Sequence, residues 1–314
     1  MRVLITGANG FIGRYLVDKL ASTHEVIAAV RTDTVFPQGV EVRVIPSIDS
    51  QSDWVGLLSD IDVVVHLAAR VHVMNESAED PLSEFREVNA LGTSKLAGAA
   101  AEQGVKRFVF MSSIKANGEG NSHAPYSDTD VPAPVDPYGV SKWEAEQLVT
   151  SVGNETGMEI VILRAPVVYG PGVRGNIKRL SQLVRLGLPL PFGAVNNRRT
   201  MLSLQNLGVW VGRAISEASP PERAVLMGDP SPVSTRVLVE ELALGMGKRA
   251  ILLPIPVSLM ERVARLIGKE QITQRLFSDL EVRPSFQAFQ GIESELAPEN
   301  QSIQEAGAAF GLRN

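Results

Sequence analysis

Three side chains near the middle of the chain have the types and spacing for proton transfer. Tyr138 and Lys142 stand four apart in Tyr138-Gly139-Val140-Ser141-Lys142, which puts both on one face of a helix. A tyrosine in water ionises only near pH ~10 and is a poor base at neutrality. A nearby ammonium, an oxidised nicotinamide and a helix N-terminus would each favour the tyrosinate. Such a tyrosine can exchange a proton with a substrate hydroxyl or carbonyl while hydride moves to or from a cofactor. Lys142 could also bind the nicotinamide ribose. Ser113, in the pair Ser112-Ser113, could hydrogen-bond the same substrate oxygen as Tyr138. Each feature alone has a plainer explanation, an amphipathic helix start or a serine turn. Their weight comes from occurring together.

A hydride needs a carrier, and the start of the chain offers a place for one. Thr6-Gly7-Ala8-Asn9-Gly10-Phe11-Ile12-Gly13 spaces three glycines between an apolar strand, 2–6, and a helical pattern over 11–21. Gly7 would permit the tight turn, Gly10 the approach of a pyrophosphate, and Gly13 the close packing of helix on strand. The N–H groups opening the helix, at Phe11 and Ile12, would face the phosphates. The next strand ends in Arg31, followed by Thr32 and Asp33. An arginine there can pair with a 2′-phosphate, which favours NADP(H). With Asp33 on the ribose and Arg31 on the adenine or in solvent, NAD(H) fits too. His66-Leu67-Ala68-Ala69 ends a further strand, and its small residues would let a cofactor lie against the strand end. His66 itself reads as a core residue.

These groups require strands that end side by side. Short apolar runs at 2–6, 25–30, 41–45, 62–67, 107–111 and 159–163 alternate with helical patterns, among them 80–103 and a helix opening at Asp136-Pro137. That alternation predicts an α/β fold with a doubly wound parallel sheet, whose strand ends carry the chemistry. Residues 116–136 read as a long surface loop. After about 165 the pattern becomes irregular. We expect a Rossmann domain over 1–165 and, over 166–314, a smaller interleaved substrate lobe that returns late elements to the sheet. Amphipathic helices are expected within 255–279, and beyond 283 the pattern weakens.

Bulk properties narrow the remaining classes. The 314 residues contain no cysteine, which excludes disulfides and thiolate chemistry. The four histidines, His24, His66, His72 and His123, lack zinc spacing, so no metal is expected. A net charge of −5 with scattered basic residues gives no footprint for nucleic acid. No apolar run approaches the roughly 20 residues of a membrane span. The first residues already read as strand, leaving no room for a signal peptide, so a cytoplasmic location is expected.

The motifs together resemble the extended short-chain dehydrogenase/reductase family of nucleotide-sugar enzymes over roughly 1–250. The resemblance rests on the glycine turn, His66-Leu67-Ala68-Ala69, Val88-Asn89-Ala90-Leu91-Gly92-Thr93, Ser112-Ser113, Tyr138-Gly139-Val140-Ser141-Lys142, and Arg164-Ala165-Pro166 leading to Tyr169-Gly170-Pro171. It implies that Ser113, Tyr138 and Lys142 are catalytic, that Pro166 lies on the cofactor, and that the substrate is a UDP-sugar. By the same resemblance Asn176 contacts the nucleotide and Arg199 the diphosphate. Dehydratases of the family follow the catalytic hydroxyl with Asp-Glu, whereas Ile114-Lys115 stands here. Its epimerases often carry a tyrosine near 117 and an aspartate after the second strand, where Asn117 and Arg31 stand here. The run 112–119, with 66–74, is similar to 4-ketoreductases acting on UDP-linked 4-keto-6-deoxy-N-acetylhexosamines for surface polysaccharide. A 4-ketoreductase preferring NADP(H) is therefore the expectation, with Lys115 either on the substrate or at the surface. The alternatives are a UDP-hexose 4-epimerase with tightly bound NAD, a small-carbonyl reductase, and a non-catalytic nucleotide sensor on the same fold. A homodimer through the helices at 80–103 and 137–152 is compatible with the pattern.

Overall fold

In the computed structural model the described residues are 1–45, 47–71, 80–120, 124–266, 268 and 276–312. His72, His123 and the end of the run 66–74 lie outside them.

The first half alternates as its hydrophobic runs dictate: β1 (Arg2–Thr6), α1 (Phe11–Leu20), β2 (Glu25–Val30), β3 (Glu41–Val44), β4 (Val63–His66), α2 (Pro81–Arg86), α3 (Gly92–Glu102), β5 (Arg107–Ser113), α4 (Pro137–Thr156) and β6 (Glu159–Ala165). The chain then forms β7 (Val167–Tyr169), α5 (Gly175–Leu186), β8 (Met201–Ser203), α6 (Leu204–Ser216), β9 (Val225–Leu226), α7 (Thr235–Gly245), α8 (Val257–Leu266) and α9 (Glu299–Gly311). Among the described residues seven strands form one sheet in the order β3-β2-β1-β4-β5-β6-β9, and every neighbouring pair is parallel. A parallel sheet must be covered on both faces, and it is. On one face α1 and α6 bury Leu16, Leu207 and Trp210 over Val3, Ile5 and Val109; on the other α3 and α4 bury Leu96, Ala145 and Val149 over Leu4, Phe108 and Phe110. Strand order reverses between β1 and β4, so a crevice opens beyond their carboxyl ends. The doubly wound parallel sheet expected from the sequence is the fold observed.

Helix starts follow their caps. The Asp80 carboxylate accepts from the Ser83 amide with Pro81 at the first helical position, and Asp136 caps α4 through the Gly139 amide at 2.6 Å, with Pro137 behind it. Gly157 closes α4 at φ 77°, a left-handed conformation that suits glycine.

The helical stretch expected over 80–103 is not one helix. A wide π-turn, Glu87–Leu91, separates α2 from α3. Such a turn absorbs one extra residue, and here Asn89 sits within it, fully buried. Its polar side chain satisfies neighbours outside the helix, as described below.

The second half has its own core, built from Tyr169, Leu180, Val184, Val239, Leu242 and Ile303. β7 and β8 pair in parallel as a two-stranded sheet. β9 follows these lobe elements in sequence yet pairs with β6 at the edge of the large sheet. Asp229, buried just after β9, ties the region together. It accepts from the Tyr169 hydroxyl at 2.7 Å, the Asn206 amide group at 2.7 Å and the Ser203 amide at 3.0 Å. The tail, whose pattern is weak in sequence, ends in α9, packed backbone against backbone on α7. A Cβ on Gly245 would strike the Gln304 carbonyl, and one on Gly307 the Leu242 carbonyl.

Candidate active site

The glycine turn joins the end of β1 to α1. Gly7 has φ +68°, and a Cβ there would lie 3.0 Å from the Ala68 backbone. A Cβ on Gly13 would strike the Gly7 carbonyl. Gly10 is the N-cap of α1 and no side chain caps it, so the positive end of that helix is left to whatever fills the crevice. The Ala68 amide donates to Thr6 Oγ1 at 3.3 Å, which holds the small segment Leu67-Ala68-Ala69 beside the turn. His66 is fully buried with both ring nitrogens engaged, Nδ1 with Thr6 Oγ1 at 2.7 Å and Nε2 with Thr93 Oγ1 at 2.9 Å. Burial, and to a lesser degree the charge of Lys142, push its pKa down to about 3, so it is neutral.

Asn89 is a bracket that the residue pattern does not announce. It accepts from the Arg70 amide at 2.7 Å, and its amide group donates to the Arg70 carbonyl and to Ser141 Oγ, each at 3.0 Å. The segment after β4 is thereby fixed to the first turns of α4, where Tyr138 and Lys142 lie.

Ser113 ends β5, in register with Ala165 at the end of β6. Its hydroxyl stands close enough to Tyr138 to act on the phenol's pKa. Tyr138 is half-buried and edge-on to Phe85, with ring centroids 6.1 Å apart. Burial pushes its hydroxyl up to about 12; the Ser113 hydroxyl works against that rise and the Asp136 charge adds to it. Lys142 is 2% exposed, with Nζ 4.1 Å from the centroid of the Phe110 ring. Burial lowers it to about 7, against the opposing pull of Glu146.

Glu146, one turn beyond Lys142, belongs to a buried cluster. Arg164 reaches its carboxylate with Nη2 at 2.6 Å and Nε at 2.9 Å, and Ser112 Oγ donates to it at 2.5 Å. Arg164 Nη1 also donates to Asn117 Oδ1 at 2.9 Å. α4 is so tied to β5 and β6 directly beneath the Ser113–Tyr138 pair. The stripe Tyr138, Lys142, Glu146 is the signal that could have found this cluster, since it repeats every four residues on one helical face. Lys115, which the sequence leaves between substrate and surface, pairs with Asp136 and with Glu119 at 2.5 Å.

The other expected site residues divide by place. Pro166 follows β6, and Arg31 is the first residue past β2, exposed like Asp33. With Gly7, Leu67 and Ser113 they share the carboxyl edge of the sheet. Asn176 is exposed on the first turn of α5. Arg199 is half-buried and donates from Nη1 to the Ser278 carbonyl at 2.8 Å. Among the described residues no helix is long and apolar enough to cross a membrane.

A parallel sheet with an uncapped helix at its switch point, and a Ser–Tyr–Lys set at its strand ends, define a class of nicotinamide-dependent enzymes. Residues 3–205 match the NAD dependent epimerase/dehydratase family, and the chain belongs to it. It is 40% identical over 284 residues to the UDP-glucose 4-epimerase of Vibrio cholerae, covering 89% of this chain and 86% of that protein. It is 27% identical over 280 residues to the N-acetyl-alpha-D-glucosaminyl-diphospho-ditrans,octacis-undecaprenol 4-epimerase of Escherichia coli O157:H7, covering 85% and 81%. The fold matches the crystal structure of the Thermus thermophilus UDP-glucose 4-epimerase in complex with NAD, with a TM-score of 0.77 at 24% identity over the whole of both chains.

Proposed function

We propose that this protein is a nucleotide-sugar 4-epimerase that inverts C4 of a UDP-linked hexose. The observation that carries the reading is the 40% identity to the Vibrio cholerae 4-epimerase across nearly the whole chain. That likeness favours the epimerase alternative over the 4-ketoreductase. Dehydration is disfavoured because Ile114-Lys115, and no carboxylate pair, follows Ser113.

The residues present fit a dinucleotide. Gly7, Gly10, Phe11, Ile12 and Gly13 would hold the pyrophosphate on the uncapped end of α1, and Arg31 the adenosine end. Leu67, Ala68, Ala69 and Pro166 would flank the nicotinamide half, with Tyr138 and Lys142 at its ribose. When bound, NAD supplies the hydride acceptor and donor at C4. Tyr138 takes the proton of the C4 hydroxyl and later returns it. Ser113 orients that oxygen. In the chain alone Tyr138 keeps its own proton, since burial raises its pKa. Positive charge beside the ring, from Lys142 and an oxidised nicotinamide, would shift it toward the anion. Asn176 and Arg199 would hold the nucleotide diphosphate, which asks Arg199 to leave the Ser278 carbonyl.

The 4-ketoreductase remains as a second reading because of one observation. Arg31 stands exposed past β2, as a 2′-phosphate partner would. One experiment separates the two. The purified protein is offered UDP-glucose and UDP-galactose without added cofactor, and its nucleotide content is measured after denaturation. Interconversion with released NAD supports the epimerase. NADPH consumption with a UDP-linked 4-keto-6-deoxy-N-acetylhexosamine, and no interconversion, overturns it.

A further inference from the structure

α8 has two apolar faces, and the lobe core uses one. Val257 and Met260 pack against that core and Ala264 is buried. On the opposite side, at i, i+4 and i+7, stand Leu259, Val263 and Leu266, which are 50%, 51% and 86% exposed. The adjoining segment continues the pattern. Leu190 and Leu252 form a backbone bridge, with Leu190 N donating to the Ile251 carbonyl and Leu253 N to the Leu190 carbonyl, each at 2.8 Å. That bridge draws Leu188 toward Ile251 and Leu253, and all three are exposed. Leu186, at the end of α5, is 65% exposed. A lone exposed leucine is ordinary, but this many on joined segments mark a surface with a partner.

The charge carried by these segments says which partner. Residues 175–190 carry Lys178, Arg179 and Arg185 and no acidic residue. Residues 248–266 carry Lys248, Arg249, Arg262 and Arg265 against Glu261 alone. All seven basic residues are exposed. They occur in a chain with 30 basic and 35 acidic residues, so the rest is strongly acidic. Leucines on segments this rich in arginine and lysine suit a surface that is apolar within and anionic at its rim.

We propose that this face of the lobe docks on an anionic lipid bilayer. The outer leucines and valine of α8 enter the interface, and basic residues of the two segments face lipid phosphates. Docking of this kind requires no spanning helix. It also uses no residue of the Ser113–Tyr138–Lys142 set, so it stands or falls apart from the epimerase reading.

The test is flotation of the full chain with vesicles of phosphatidylglycerol and phosphatidylcholine, against phosphatidylcholine alone. Flotation with the anionic vesicles only, released by added salt, is expected. The variant Leu259→Ser/Val263→Ser/Leu266→Ser should lower the bound fraction by about tenfold or more. Arg249→Glu/Arg262→Glu changes only exposed positions and should do the same if the serine variant fails to fold. No flotation, or equal flotation with neutral vesicles, overturns the proposal. So does a dimer, seen by light scattering, that the serine variant dissolves, because the face then belongs to a second copy of the chain.

Discussion

At the scale of single residues, burial decides who carries protons. Tyr138 is held neutral and Lys142 is lowered to about 7 by the same loss of water. Replacing Tyr138 by Phe removes the proton carrier while keeping the ring against Phe85. Turnover should fall by about 10²–10⁴-fold with little change in melting temperature, measured by UDP-hexose interconversion and thermal unfolding. His66 is read through pH. Its folded pKa of about 3 lies below the 6.5 of a free imidazole. Between those values the unfolded chain binds a proton that the folded chain refuses. The stability is therefore complete above about 6.5 and lost as pH falls toward 3. Urea midpoints at pH 7 and pH 4.5 should show the drop, and His66→Gln should flatten it. An unchanged slope in that variant would assign the acid sensitivity elsewhere.

Elements place these residues. The Ser112–Glu146–Arg164 cluster fastens α4 to two strands. Glu146→Gln leaves a buried guanidinium without its counter-charge, which should cost about 3–5 kcal/mol in urea unfolding. At the other end of the crevice, Gly13→Val forces a side chain onto the Gly7 carbonyl. Purified Gly13→Val protein should retain little nucleotide, read as absorbance released on denaturation. Much at this scale is legible in the sequence. The glycine turn, the capped start of α4 and the six early strands follow from spacing and period alone. The bracketing task of Asn89 is not legible, because its partners are the backbone of Arg70 and a serine 52 positions away. The π-turn escapes for a related reason, since no periodicity announces one extra residue. The pairing of Glu146 with Arg164 escapes as well, since it exists only once α4 lies on the sheet.

The whole molecule shows where sequence patterns fail. In α9 the positions facing α7 include Ala306 and Gly307, small residues that allow backbone contact but give little hydrophobic signal. The weak pattern past 283 therefore hides a helix whose Ile303 is fully buried in the lobe core. Asn206 pairs both ways with Ala297 just before it. Truncation after Pro298 should uncover Val239 and Leu242 and lower the melting temperature. A truncated chain with the full-length melting curve would show α9 to be dispensable.

One detail of the sheet bears on how the molecule can change. β9 reaches its place beside β6 only after the chain has built β7, α5, β8 and α6. The segment between β6 and β9 is thus stapled to the sheet at both ends, like a loop of ribbon held by two pins. A gene fragment cut after residue 165 would carry one pin only, and would leave β6 as a bare edge open to other strands.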